Sequence, residues 1–321
     1  MENSTNITSF ILAAFGEMGQ IRYFYFSVIL MLYLAIIFTN SFLIGVIFAE
    51  RNLHEPMYFF LCNLAINEVY GSTGLFPSLL ANILSSMHDI SRDYCIVQIF
   101  CLHTYGTIEF STLAVMAYDR YVSICCPLQY NAIMTPSKVC AFIALTWLYS
   151  VSRIILTLIL TLALPLCGNI IEKVYCDNYS LVRLACIDTT INNIYGMIGV
   201  VLSIIIPLLL ILYSYAKVLR ICLKASKESQ FKALNTCTPH LVSLVNFSVG
   251  CFFEIVQSRF NMKHVPYAAR IIISVYFLIF PPLLNPIIYG VRITQIRLTF
   301  KKMLCITRLF PELDSTECHR S

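Results

Sequence analysis

Charge is scarce in this 321-residue chain. Charged residues make up 12% of it against 58% hydrophobic, about half the charged share of a soluble globular domain. A soluble chain so apolar could not cover its own surface. Catalytic signatures are missing too. No HExxH, GxSxG or GxxxxGK[ST] occurs, so zinc-hydrolase, nucleophile-elbow and phosphate-cradling chemistry have no motif behind them. The eleven glycines are scattered and the fourteen cysteines show no zinc-site spacing. No catalytic residue is assigned, and no enzyme is expected. Low-complexity stretches and convincing internal repeats are absent. Met1–Gly19 lacks a basic n-region, and its apolar patch Ile11–Phe15 is too short for a cleavable signal. The first apolar run is expected to serve as its own anchor.

Apolar runs fill the chain instead. Uncharged stretches lie between Arg22 and Glu50, Asp188 and Lys217, Lys232 and Glu254, and Arg270 and Arg292. Each reaches roughly 20 residues, enough to span a hydrocarbon core. Three more runs carry a single interrupting charge: Pro56–Ser86 with Glu68, Tyr94–Asp119 with Glu109, and Val139–Leu164 with Arg153. Spans in lipid must be helical, because every backbone N–H and C=O needs an internal partner. The expectation is an all-α membrane protein, a seven-transmembrane helix bundle.

Basic residues set its orientation. With the N-terminus outside, fourteen fall on the inner side: Arg51, Arg120, Lys138, Lys217, Arg220, Lys224, Lys227, Lys232, Arg292, Arg297, Lys301, Lys302, Arg308 and Arg320. Seven fall outside: Arg22, Arg92, Lys173, Arg183, Arg259, Lys263 and Arg270. The positive-inside rule then places the N-terminus out and the tail in. The net charge of +5 needs no nucleic acid; it suits an anionic inner leaflet of membrane lipid. Residues 1–23 read as an extracellular segment, 24–291 as the seven-transmembrane domain, and 292–321 as an amphipathic helix with the inner tail. In that last segment Ile293, Ile296, Phe300 and Leu304 oppose Arg297, Lys301 and Lys302, a short eighth helix lying on the leaflet. Sequons at Asn3 and Asn6 fall outside, as glycan acceptors must; Asn178 is a third candidate, while Asn246 lies inside a span.

Several residues carry chemistry. Glu68 and Glu109 sit near mid-span, where an ionised carboxylate must pair, bind a cation or take up a proton; plain hydrogen bonding of protonated acids is the alternative. Arg153 lies roughly 22 Å into the fourth span. Its side chain can snorkel to the outer interface, the preferred placement, or face inward. Asp119–Arg120 place an ion pair at the foot of the third span, a costly position unless it serves a purpose. Cys95, Cys167, Cys176 and Cys186 fall on the outer side, where disulfides persist. Their pairing is open to three connectivities. Inner-side Cys125, Cys126, Cys222, Cys305 and Cys318 are expected to stay reduced, with Cys305, after Lys301–Lys302, a palmitoylation candidate.

The stretch MAYDRYVSICCPLQY, Met116–Tyr130, resembles the olfactory receptors, a branch of the rhodopsin-like (class A) G-protein-coupled receptors whose usual form is MAYDRYVAICxPLxY. LHEPMYFFL at Leu53–Leu61, KALNTCTPHL at Lys232–Leu241, the SY pair Ser214-Tyr215, and PPLLNPIIYGVR at Pro281–Arg292 match the same family. The double proline and the YGVRITQIR continuation look most like the branch associated with water-soluble odorants. Thr39 before Asn40, Ser123 and Asn235 are small departures. Phe247-Ser248 lacks the second of two aromatics usual in the sixth helix, so Phe247 is expected to do that packing alone.

The resemblance implies an odorant receptor of the plasma membrane, in olfactory cilia, that couples a small-molecule odorant to a stimulatory heterotrimeric G protein and raises cyclic AMP. It implies disulfides Cys95–Cys176 and Cys167–Cys186, and coupling residues Asp119, Arg120, Tyr215, His240, Asn285, Pro286 and Tyr289. No cofactor is implied beyond a sodium ion at Glu68 and Glu109, flanked by Asn40 and Asn285. The ligand pocket is expected in the outer half. His103, Gly106, Thr107 and Phe110 share one face of the third span by three- and four-residue spacing; Ser248, Cys251, Ile255 and Arg259 share one on the sixth; Gly199 and Ser203 come from the fifth if the family register holds. Arg259, with His103 a layer in, is the candidate anchor for an anionic group. The alternatives are a class A receptor for an internal metabolite and, from another class, a secondary transporter or channel. Against the latter, the chain shows no internal repeat or matching pair of broken helices.

Overall fold

The computed structural model describes residues 7–15, 19–224, 226–259, 267–292 and 296–298; the side chains at 229, 232, 267–270 and 292 fall outside that description. Seven long helices form the bundle: α1 Ile21–Ala49, α2 Pro56–Leu84, α3 Arg92–Cys125, α4 Pro136–Leu162, α5 Thr190–Cys222, α6 Lys227–Arg259 and α7 Tyr267–Arg292. Their starts follow local chemistry. Proline occupies the first turn of α2 and α4, where its missing N–H has no helical partner to lose. Ser91 and Thr135 cap α3 and α4, accepting from the amides of Tyr94 and Lys138 at 3.3 and 3.4 Å. Within α5, Val201–Ile205 widens to a π-helical turn just ahead of Pro207.

Five of the seven helices, all but α2 and α3, are long and apolar enough to cross a membrane by length and composition. The other two are diluted by polar residues, and burial explains why. Asn63, Asn67, Glu68, Ser72, Thr107, Glu109, Thr112 and Asp119 all face the protein interior, where protein rather than lipid surrounds them. Around them Met31, Phe38, Leu148, Leu209 and Phe252 are at least 59% exposed, a surface suited to lipid rather than water. The chain is a multi-pass membrane protein.

The N-terminal segment is more than a leader to α1. Strand β1 (Ser9–Leu12) pairs antiparallel with β2 (Asp89–Ser91) and parallel with β3 (Ile170–Ile171), in the order β2-β1-β3. Phe10, Leu12 and Phe15 are buried, and the Phe15 ring stacks on His88 at 4.9 Å. The loop between α4 and α5 is tied down beside this sheet by Cys95–Cys176 and Cys167–Cys186. Asn178, the third sequon, begins a short helical turn in this loop. Its Oδ1 accepts from the Thr161 hydroxyl at 2.7 Å, and the residue lines an internal cavity. Asn3, Asn6, Cys305, Cys318 and the eighth helix, apart from residues 296–298, lie outside the described residues.

Candidate functional site

A cavity of about 220 Å³ opens between α3, α4, α5 and α6 under the α4–α5 loop. From α3 come His103, Gly106, Thr107 and Phe110; from α5 Asn193, Gly196, Gly199 and Ser203; from α6 Cys251, Glu254, Ile255 and Arg259; from the loop Tyr175–Tyr179. Nine of the ten residues expected to face the pocket line it. Ser248 does not.

Arg153 lines it as well, contrary to the snorkelling expectation. Its Nη2 donates to Thr107 Oγ1 at 3.0 Å. The reason is opposite, on α5: a methyl on Gly199 would come within 2.6 Å of Arg153 Nη1, so the missing side chain leaves the guanidinium its space. Thr107 supplies the acceptor it meets there. Arg259 sits nearer the loop. Its guanidinium lies 4.2 Å from the centre of the Tyr179 ring, and Nη1 donates to Asn193 Oδ1 at 3.3 Å. His103 bonds the Ile99 carbonyl through Nδ1 at 3.1 Å. A carbonyl only accepts, so Nδ1 carries the proton, and the neutral ring presents Nε2 as an acceptor. As a neutral ring His103 therefore cannot donate to an anion; that task falls to the two arginines.

The acids of the cavity are already engaged. Lys173 reaches Asp177 at 3.3 Å, Ser258 Oγ at 2.8 Å and the Glu254 carboxylate. This joins the loop to α6. Burial alone would raise the Asp177 carboxyl, but the Lys173 ammonium and the Ser180 hydroxyl outweigh it and leave it lowered. Burial pulls Lys173 down, and Asp177 with Glu254 overcome that to raise it. Sequence reading missed this cluster. Lys173 counted only toward outer-side charge, and nothing in the local pattern pairs it with Glu254, 81 residues away.

Below the cavity, Phe247 packs edge-on against Tyr105 at 5.7 Å and against Phe110 at 4.9 Å. Tyr105 donates to the Phe277 carbonyl at 3.1 Å, linking α3 to α7. One turn further lie the two acids. Asn285 Nδ2 donates to Glu68 at 2.5 Å and lies 3.3 Å from Glu109, while Asn67 Nδ2 donates to Glu109 at 2.9 Å. The carbonyl oxygens of Asn67 and Asn285 are buried without partners among the described residues. Carboxylates and unpartnered amide oxygens are the donor set a small hard cation takes, so these residues fit a sodium ion. Asn40 turns elsewhere, donating to the Ile36 and Pro282 carbonyls.

At the far end Arg120 binds Asp119 through Nε and Nη2 at 3.0 and 2.5 Å, and Asp119 also accepts from the Tyr130 hydroxyl at 2.7 Å. Tyr215 donates to His240 Nδ1 at 2.7 Å, and His240 Nε2 donates to the Leu113 carbonyl at 2.9 Å. Tyr289 is fully buried nearby, and Pro286 lies inside α7 next to Asn285.

The seven-helix bundle thus carries an engaged arginine at one end and a small cavity at the other. The family model for olfactory receptors matches residues 29–307. A mouse protein, olfactory receptor 4B13, is 34% identical over 299 residues, covering 92% of this chain and 96% of its own. A human one, olfactory receptor 52B2, is 37% identical over 301 residues, 91% and 93% respectively. Squid rhodopsin superposes with a TM-score of 0.72 at 17% identity, covering 93% of this chain and 90% of that one, a likeness of fold. The chain belongs to the olfactory receptor family. It is a signalling receptor rather than an enzyme, with a small-molecule ligand and a G-protein partner.

Proposed function

We propose that this receptor binds a small anionic odorant in the cavity under the α4–α5 loop and activates a stimulatory heterotrimeric G protein, raising cyclic AMP. The observation that supports it best is the cavity itself. Two guanidiniums face it, while the acids beside them are held by Lys173. In this reading the N-terminus and loop side are extracellular, and Arg259 near the mouth takes the acidic group through charge-assisted hydrogen bonds. The Asp119–Arg120 pair, clamped by Tyr130, represents the resting state. A ligand that favours the other packing releases Arg120, lets Tyr215 leave His240 for it, and opens a cleft near Tyr289 for the G protein. It shifts the equilibrium only by its differential affinity for the two states. Sodium, or a shared proton, at Glu68 and Glu109 stabilises the resting packing through Asn285 and Asn67.

Cyclic AMP in cells expressing the chain with an olfactory stimulatory G protein tests this against acidic and neutral odorants. A response to acids, lost in Arg120→Ala and in Arg259→Ala at normal surface amount, is expected. A response to acids that survives intact in Arg259→Ala contradicts the anion site.

A further inference from the structure

The two arginines of the cavity are arranged as a pair. Gly196 and Gly199 stand three residues apart on α5, so their Cβ directions lie on one face about 5–6 Å from each other. Each glycine faces one guanidinium. A methyl at Gly196 would lie 3.6 Å from Arg259 Nη2, and one at Gly199 2.6 Å from Arg153 Nη1. The α5 wall is therefore bare at the two points where the cations approach it, roughly one helical turn apart.

Neither cation has an anionic partner among the described residues. Among the described residues the ion pairs are Arg120–Asp119, Lys173–Asp177 and Lys173–Glu254, and none includes Arg153 or Arg259. Neutral partners hold them instead, Thr107 for the first and Asn193 with the Tyr179 ring for the second. Arg153 Nε is buried with no hydrogen-bond partner among the described residues. A cation taken from water without a counter-ion in contact is costly, and a monocarboxylate brings only one anionic group to a wall that two guanidiniums face.

We infer that the cavity takes a short-chain dicarboxylate, with one carboxylate on Arg259 near the loop and the other on Arg153 a turn deeper. This rests on the reading of the cavity as the ligand site and names the ligand's class. The small volume, about 220 Å³, favours molecules the size of glutarate or adipate over long-chain acids.

The test is binding of radiolabelled glutarate and adipate to the purified full-length protein in lipid discs, without G protein. Pentanoate and hexanoate serve as monoacid competitors, and 1,5-pentanediol as the uncharged one. A dicarboxylate should bind about ten- to a hundred-fold tighter than the monoacid of the same chain length, the worth of one charged hydrogen-bonded contact. Arg153→Gln should erase that preference. Gly199→Ala should also weaken it while both charges remain, because its methyl displaces the Arg153 guanidinium; that variant decides the matter if Arg153→Gln does not fold. Equal affinity for diacid and monoacid in the wild type overturns the inference. So does a preference untouched in both variants. Nucleotide exchange on a G protein is read separately: diacid binding without exchange overturns the coupling reading and leaves the ligand class standing.

Discussion

The His240 ring accepts from Tyr215 on α5 and donates to the Leu113 carbonyl on α3, so three helices meet at one side chain with its tautomer fixed by its neighbours. Replacing it with phenylalanine keeps the ring volume and removes both bonds. Each is worth about 0.5–1.5 kcal/mol net, and both belong to the resting packing. His240→Phe should therefore raise ligand-free nucleotide exchange several-fold at matched surface amount; an unchanged basal rate would show that this contact does not hold the resting state. At this scale the sequence was uneven. Asp119 and Arg120 were legible because they are adjacent opposite charges closing an apolar run that carries only one other, Glu109. His240 was legible only through KALNTCTPHL, since its partners lie 25 and 127 residues away. Arg153 was misjudged because depth along a helix says nothing of rotation, and what turns it inward is the absence of a side chain on another helix.

The helices approach closely where glycine permits it. A methyl at Gly71 would lie 2.4 Å from the Tyr105 ring, which cannot swing aside while its hydroxyl holds the Phe277 carbonyl. Overpacking of this kind costs about 1–3 kcal/mol, so Gly71→Ala should lower the thermal midpoint of the purified protein. Gly45→Ala, with nothing within 4 Å, should hold it or raise it, since alanine is the better helix former by about 1 kcal/mol. The disulfides differ by the loops they close, 81 residues for Cys95–Cys176 and 19 for Cys167–Cys186. On the chain-entropy account both cost a few kcal/mol to lose, the longer loop more; the Cys95→Ser, Cys176→Ser double variant should be the less stable in thermal unfolding. Apolar runs made the seven elements legible in the sequence. The strand Ser9–Leu12 was not, because four residues carry little periodicity and their partners come from two distant loops.

Across the whole molecule, the loop, the cavity and the coupling end form one connected path. Lys173 fastens the loop to Glu254 on α6; further along the same helix Phe247 meets Tyr105, and His240 meets Tyr215. Its outer fastening has a pH signature. Asp177 is lowered, so its contribution is present above the unfolded carboxyl value and is lost as pH falls through the folded one. Lys173 is raised, so its contribution is present below the unfolded lysine value and is lost as pH rises through the folded one. The thermal-stability gap between wild type and Lys173→Met should be open near neutrality and shrink toward both low and high pH. A gap that vanished near neutrality would contradict the ion cluster. The central claim, that a ligand in this cavity controls a G protein at the other end, is tested most directly by guanine-nucleotide exchange on a stimulatory α-subunit, with the full-length protein in lipid discs. Acidic odorants should accelerate exchange in the wild type and fail to do so in Arg120→Ala, whose cavity still binds them. Exchange indifferent to every ligand that demonstrably binds, together with ligand-driven ion or solute flux through the same discs, would contradict the account.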